Sequence, residues 1–204
     1  MIALLYATAL EAAPLLARFE KDARSHRRLS DTLYLYDFER SPLAVALVGM
    51  GKSAAAAGTQ AVIRRLEPAA LINLGIAGGL SEHAVVGGIF AVRHAVDWPH
   101  APNDPVPFDV PTDDSIPLSC LDLVTSDAPV FDDVLREKLK KYGDMVDMEG
   151  SAIARAAITA KLPCRAIKVI SDEARDGHRE TLRKNIGRAS EKLAELVAQM
   201  RVAG

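Results

Sequence analysis

Apolar runs of strand length recur along this chain, and most of them lack the polar alternation of a half-exposed strand. Met1–Ala7, Leu43–Val48, Ala69–Leu74, Leu118–Val124 and Cys164–Ile170 are such runs. Helix-like segments separate them, at about Glu11–Phe19, Gly51–Leu66, Phe131–Tyr142, Gly150–Lys161 and Arg179–Arg201. Strands that are apolar on both faces need cover on both faces, and the intervening helices supply it. The pattern predicts an α/β fold with a mixed, mostly parallel central sheet flanked by helices. Thr32–Phe38 alternates and reads as a further strand, as do Ile89–Val96 and the short Met145–Val146. Ala69–Leu74 is expected to break at the turn Gly75-Ile-Ala-Gly-Gly79.

With 204 residues and 49% hydrophobic composition, the chain has enough apolar surface for one core, so residues 1–204 are read as a single domain. No linker or internal repeat divides it. The formal net charge is -2, which leaves no basic excess for phosphate backbones and argues against a nucleic-acid partner. Met1–Ala7 is too short to span a membrane, and it has neither the basic start nor the length of a signal peptide. Cys120 and Cys164 lie far apart and read as core-like thiols of a reducing cytoplasm. The stretch Trp98–Pro117 holds six of the eleven prolines with Asp104, Asp109, Asp113 and Asp114, and reads as a long surface loop or a lid.

Ligands of open α/β sheets bind beyond the carboxyl ends of the strands. Glu11 follows the first strand, Glu149 the Met145–Val146 run, and Asp172 the Cys164–Ile170 run. Three acids are therefore expected at one sheet edge, beside the glycine-rich turns Gly49-Met-Gly51 and Gly75–Gly79. Each acid alone also suits a helix start, as a cap or a partner of the helix dipole. Two phosphate-binding readings of Gly49–Ser53 fall short. The Gly49-x-Gly51-x-x-Ala54 pattern does not open the first strand–helix unit, and Ala46 stands where a P-loop needs its first glycine. Lys52 is then a solvated side chain or a helix-face partner. His26, His83, His94, His100 and His178 show no metal-ligand spacing and read as surface or loop residues, so no metal is expected. No serine sits in a GxSxG elbow.

The ordered set of motifs resembles the purine nucleoside phosphorylase and nucleosidase superfamily, and within it the methylthioadenosine/S-adenosylhomocysteine nucleosidases. The matching segments are Ala7–Ala12, Val48–Lys52, Ile72–Leu80, Ser126–Ala128, Val146–Ala154 and Val169–Asp172. The resemblance implies that Glu11 activates a water and that Asp172 protonates the purine at N7, with Ser171 beside it. It implies that Glu149 grips the ribose hydroxyls with Met148 against the sugar, that Gly78 lies near the ligand, and that Val130 offers its backbone to the base. No cofactor is implied. The partners it implies are a purine nucleoside and a second copy of the chain, as a homodimer.

Phosphorolysis needs cationic donors for phosphate. Bacterial phosphorylases that this chain resembles carry an arginine and a serine or threonine where Asn73 and Ile76 stand here, so water is the expected nucleophile. The chain also departs from the nucleosidases. Ile76 replaces a serine. Pro129 takes the place of an aromatic residue that stacks on the base, with Phe131 as its nearest substitute. The span Trp98–Cys120 is short where the family walls in the 5′ substituent. A futalosine or adenosylhopane nucleosidase, a phosphorylase, and a nucleoside binder without catalysis therefore stay open as alternatives to an adenine-type nucleosidase.

Overall fold

The computed structural model describes residues 1–98, 108–110 and 118–203. Most of the Trp98–Pro117 stretch, including His100, Asp104, Asp113 and Asp114, lies outside the described residues. The strands are β1 (Ile2–Tyr6), β2 (Ser25–Ser30), β3 (Leu33–Asp37), β4 (Leu43–Leu47), β5 (Ala70–Gly79), β6 (Ile89–Asp97), β7 (Phe108–Asp109), β8 (Cys120–Thr125), β9 (Met145–Asp147) and β10 (Cys164–Asp172). The helices are α1 (Ala9–Asp22), α2 (Lys52–Leu66), α3 (Asp133–Leu139), α4 (Gly150–Thr159) and α5 (Arg179–Ala203).

All described strands join one mixed sheet. Parallel pairings link β4, β1, β5 and β10 in turn. From β10 the sheet continues antiparallel to β6, then parallel through β8 to β9, and β9 returns antiparallel to the end of β5. Strands β5, β10, β6, β8 and β9 thus close a circuit, which brings the ends of β5, β9 and β10 together. Beyond β4, the antiparallel β3 and β2 finish the opposite edge.

The two faces of β1 show why the sheet is covered on both sides. Leu4 and Tyr6 enter the core that also holds Leu15 and Phe19 of α1 and Leu193 and Val197 of α5. Ala3 and Leu5 enter the opposite core with Ala55 and Val62 of α2 and Ile153 and Ala157 of α4. Period-2 alternation sends neighbouring apolar residues to different helices, so the run is apolar throughout.

Two differences from the sequence expectation bear on the site. The segment Gly75–Gly79 is not a turn, because β5 runs on through it and pairs with β10 as far as Gly78. These glycines serve close approach. A Cβ at Gly75 would stand 3.2 Å from Glu11 Oε1 and 3.3 Å from Lys168 Nζ, so both groups rest on bare backbone. The second difference is β2, whose Ser-His-Arg-Arg-Leu-Ser sequence carries no apolar signal. It is an exposed edge strand held by pairing with β3, and charge on an edge is a common guard against further pairing.

Candidate active site

Helix α1 opens at Thr8 with a capping box. The Thr8 hydroxyl accepts from the Glu11 N–H (3.3 Å), while Glu11 Oε2 accepts from Thr8 N (3.0 Å) and from the Thr8 hydroxyl (2.8 Å). Glu11 Oε1 turns the other way and accepts from Ile76 N at 3.3 Å. The helix-cap reading and the site reading of Glu11 therefore hold at once. Glu11 is buried yet lines a pocket of about 300 Å³ at the strand ends.

The same pocket is lined by Glu149, Asp172, Met148, Ser171, Gly78 and Val130. All seven residues singled out from the sequence thus border one cavity. Its remaining wall is mostly apolar, including Leu10, Met50, Ile76, Phe131, Leu182 and Ile186. Phe131 reaches the pocket beside Pro129, and the Arg179 guanidinium lies 5.2 Å from its ring centroid. Met145 is a core filler, but Met50 and Met148 are pocket residues, and Met50 is 66% exposed.

Glu149 stands at the N-terminus of α4 without capping it. Its Oε1 accepts from Gly51 N at 2.6 Å. Gly51 has φ +86°, a left-handed conformation that turns its N–H toward the carboxylate at little cost to glycine. The glycine turn that mimics a phosphate cradle thus has this N–H committed to a carboxylate. Burial, assisted by the neighbouring Asp147 and Glu11 charges, pushes the Glu149 carboxyl up to about 7, against the opposing pull of Gly51 N–H and Lys168.

Asp172 ends β10. Its Oδ1 accepts from Ala174 N (2.7 Å) and its Oδ2 from the Ser171 hydroxyl (2.8 Å), which also reaches Ala77 O at 3.2 Å. Burial raises the Asp172 carboxyl above the usual carboxylate range, although both donors and His178 favour its charged form. The serine has one proton for two acceptors. It serves Asp172 when the acid is ionised and is free to serve Ala77 O when the acid is protonated.

Beneath the pocket lies a cation that the sequence reading passed over. Lys168 Nζ pairs with Asp147 Oδ2 at 2.8 Å, and each side chain is only 2% exposed. Burial alone lowers the ammonium, but the Asp147 pair, with Glu149 and Glu11 nearby, outweighs it and holds Lys168 protonated. Asp147 also accepts from the Thr125 hydroxyl (2.7 Å) and Gly150 N (2.9 Å), which anchors the start of α4. A lone lysine inside the apolar run Cys164–Ile170 was the available signal, since a buried cation requires a buried partner. Lys52 also departs from expectation. It is neither solvated nor bound along its own helix. Its ammonium bridges Asp97 (2.7 Å), Asp127 (2.7 Å) and the Trp98 carbonyl (2.8 Å), tying the start of α2 to the ends of β6 and β8. His94 lies on β6 against Asp122 at 2.9 Å. No group of His, Cys, Asp and Glu that could hold a metal exists among the described residues.

The raised Glu149 carboxyl has a stability consequence. The folded state binds its proton more tightly than the unfolded chain, so the contribution is full below about pH 4.5 and lost as pH rises through about 7. Glu149→Gln removes that loss and retains an acceptor for Gly51. Relative to wild type, the variant is expected to gain about 3 kcal/mol between pH 4.5 and pH 8. Thermal melts across that range check it, and a difference that stays constant with pH contradicts it.

A pocket ringed by buried carboxylates at the strand ends of a mixed α/β sheet defines a small-molecule site of the enzyme type. The chain belongs to the phosphorylase superfamily, whose sequence model matches residues 1–200. It is 26% identical over 185 residues to a 5′-methylthioadenosine/S-adenosylhomocysteine nucleosidase of Desulfotalea psychrophila, covering 75% of this chain and 78% of that one. Among solved structures, futalosine hydrolase of Helicobacter pylori superposes with a TM-score of 0.85 at 18% identity, over 98% of this chain and 96% of the other. S-adenosylhomocysteine nucleosidase of Streptococcus pyogenes superposes with a TM-score of 0.81 at 24% identity, over 96% and 93%. No described helix is long and apolar enough to cross a membrane.

Proposed function

We propose that the protein is a purine nucleosidase that hydrolyses the N-glycosidic bond of an adenine-type nucleoside carrying an apolar 5′ substituent, as in methylthioadenosine. The observation that carries the reading is the meeting of Glu11, Glu149 and Asp172 in one cavity. Breaking the bond from C1′ to the base leaves positive charge on the sugar and sends the electron pair to the purine. Asp172 delivers its proton to the base at N7, and burial keeps that proton available above the usual carboxylate range. Glu149, with Met148 against the sugar, binds the ribose hydroxyls and stabilises the oxocarbenium-like state. Glu11 takes a proton from the water that attacks C1′. Val130 and Gly78 border the base, and Ser171 follows the protonation state of Asp172.

Water rather than phosphate is favoured by the charge balance. No lysine, arginine or histidine is among the described lining residues. Lys168, a cation beneath the pocket, already faces Asp147, Glu149 and Glu11. A phosphate dianion placed there would meet a surplus of negative charge. The apolar 5′ group is supported by Leu10 and Met50, which line the pocket yet are 61% and 66% exposed. The same apolar lip is a surface that a second copy of the chain would cover in a homodimer.

Incubation with methylthioadenosine, S-adenosylhomocysteine, futalosine and inosine, with and without phosphate, tests the reading. Free adenine from methylthioadenosine without phosphate is expected, with no rate increase when phosphate is added. Release only with phosphate makes the protein a phosphorylase, and saturable binding without release makes it a binder.

A further inference from the structure

We propose that Arg136, on α3 and outside the pocket lining, is a positioning residue for Asp172: it clamps the peptide group whose N–H holds the Asp172 carboxylate. This rests on the proposed acid role of Asp172 only for its kinetic consequence.

Arg136 is buried at 6% exposure. Its Nε donates to the Glu173 carbonyl at 2.9 Å and its Nη2 to the Leu80 carbonyl at 2.6 Å, while Nη1 pairs with Glu137 at 2.9 Å. The Glu173 carbonyl and the Ala174 N–H belong to one planar peptide unit. Holding that oxygen from one side therefore fixes the N–H on the other, which donates to Asp172 Oδ1 at 2.7 Å. The unit needs holding, because Ala174 has φ +51°, in the left-handed region that costs a non-glycine residue about 1 kcal/mol or more. The second arm ties the same guanidinium to the end of β5. There a Cβ at Gly78 would come within 2.9 Å of Ala174 Cβ, so the β5 and β10 ends are packed without slack. One side chain thus sets the spacing of two pocket walls and the orientation of a bond to Asp172.

Among the described residues, the titratable groups that act most on Asp172 are His178, just before α5, and Glu173. Neither is changed by substitution at Arg136. Loss of the clamp loosens the Ala174 N–H bond, which favours the ionised acid, so the Asp172 carboxyl must titrate at higher pH. The test is ¹³C NMR titration of the Asp172 carboxyl, assigned by its absence in Asp172→Asn, in wild type, Arg136→Met and Arg136→Lys. The midpoint is expected to rise by about one pH unit in Arg136→Met, the scale of one hydrogen bond to a charged group. A smaller rise is expected in Arg136→Lys, whose ammonium lacks the fork that spans two carbonyls. If Arg136→Met does not fold, Arg136→Lys decides. An unchanged midpoint in the folded variant overturns the proposal. In assays of methylthioadenosine hydrolysis, the high-pH limb of kcat is expected to move with the midpoint. A midpoint that moves while the limb stays, or while wild type shows no hydrolysis, sinks the acid role of Asp172 and leaves the clamp standing.

Discussion

Asp172→Asn is expected to lower kcat by about 10²–10⁴-fold with a smaller change in KM, the usual weight of a positioned general acid. In the proposed reaction the departing purine carries the electron pair of the broken bond, and without a proton at N7 it is a poor leaving group. An amide occupies the same volume but has no acidic proton to give. The local structure survives the change, because the amide oxygen still accepts from Ala174 N–H, where Oδ1 now lies at 2.7 Å. The Ser171 hydroxyl is free to donate to Ala77 O, 3.2 Å away, and to accept from the new amide. A collapse of the fold is thus not the expected cause of lost turnover, and the melting temperature is expected not to fall, since the amide also removes a buried carboxyl raised by burial. The wild-type rate is expected to fall at high pH as the raised carboxyl ionises, and the residual rate of the Asp172→Asn variant is expected to lack that fall. Steady-state assays across pH check both points. Turnover within threefold of wild type removes Asp172 from the chemistry.

Lys168→Met is expected to destabilise the fold by about 3–5 kcal/mol at neutral pH, the cost of removing one partner from a buried ion pair. Its ammonium and the Asp147 carboxylate are 2.8 Å apart and 2% exposed each, so water does not replace the lost partner. The consequence spreads, because Glu149 and Glu11 also lose the cation that offsets them. Without the cation the raised Glu149 carboxyl holds its proton more tightly still in the folded state, so the variant weakens further as pH rises. Adding Asp147→Asn removes the stranded charge while keeping a side chain that reaches Thr125 and Gly150. The double variant is expected to recover more than half of the loss. Urea unfolding of wild type, both single variants and the double variant at pH 6 and pH 8 measures the coupling. A Lys168→Met loss under 1 kcal/mol shows that the cation does not balance the acid cluster.

The two substitutions separate roles that lie close together in space. Asp172 lines the pocket and is the proposed acid, and its loss is expected to spare the fold. Lys168 lies under the floor and contributes by allowing three acids to share a small volume. A site that concentrates carboxylates needs such a counter-charge, since like charges in a low dielectric repel strongly. Here the cation is placed where it neutralises the cluster without facing the apolar chamber above.

Much of this was legible in the order of residues. Apolar runs with helix-like segments between them require a sheet covered on both faces, because no strand such as Leu43–Leu47 can leave a polar face to water. Glu11, Glu149 and Asp172 were found because they follow strands, and strand ends are where such sheets bind ligands. Tertiary structure alone decided the rest. β2 exists through pairing with β3, and its own residues carry no strand signal. The Gly75–Gly79 segment is strand because it pairs with β10 and β9, with Glu11 and Lys168 packed against the bare Gly75 backbone, whereas glycine clusters in sequence signal turns. Lys168, Lys52 and Arg136 take their meaning from partners 21, 45 and 37 residues away, Asp147, Asp97 and the Glu173 carbonyl. Period and propensity are local properties and are written residue by residue. The partner of a buried charge is chosen by the fold, and no spacing along the chain announces it.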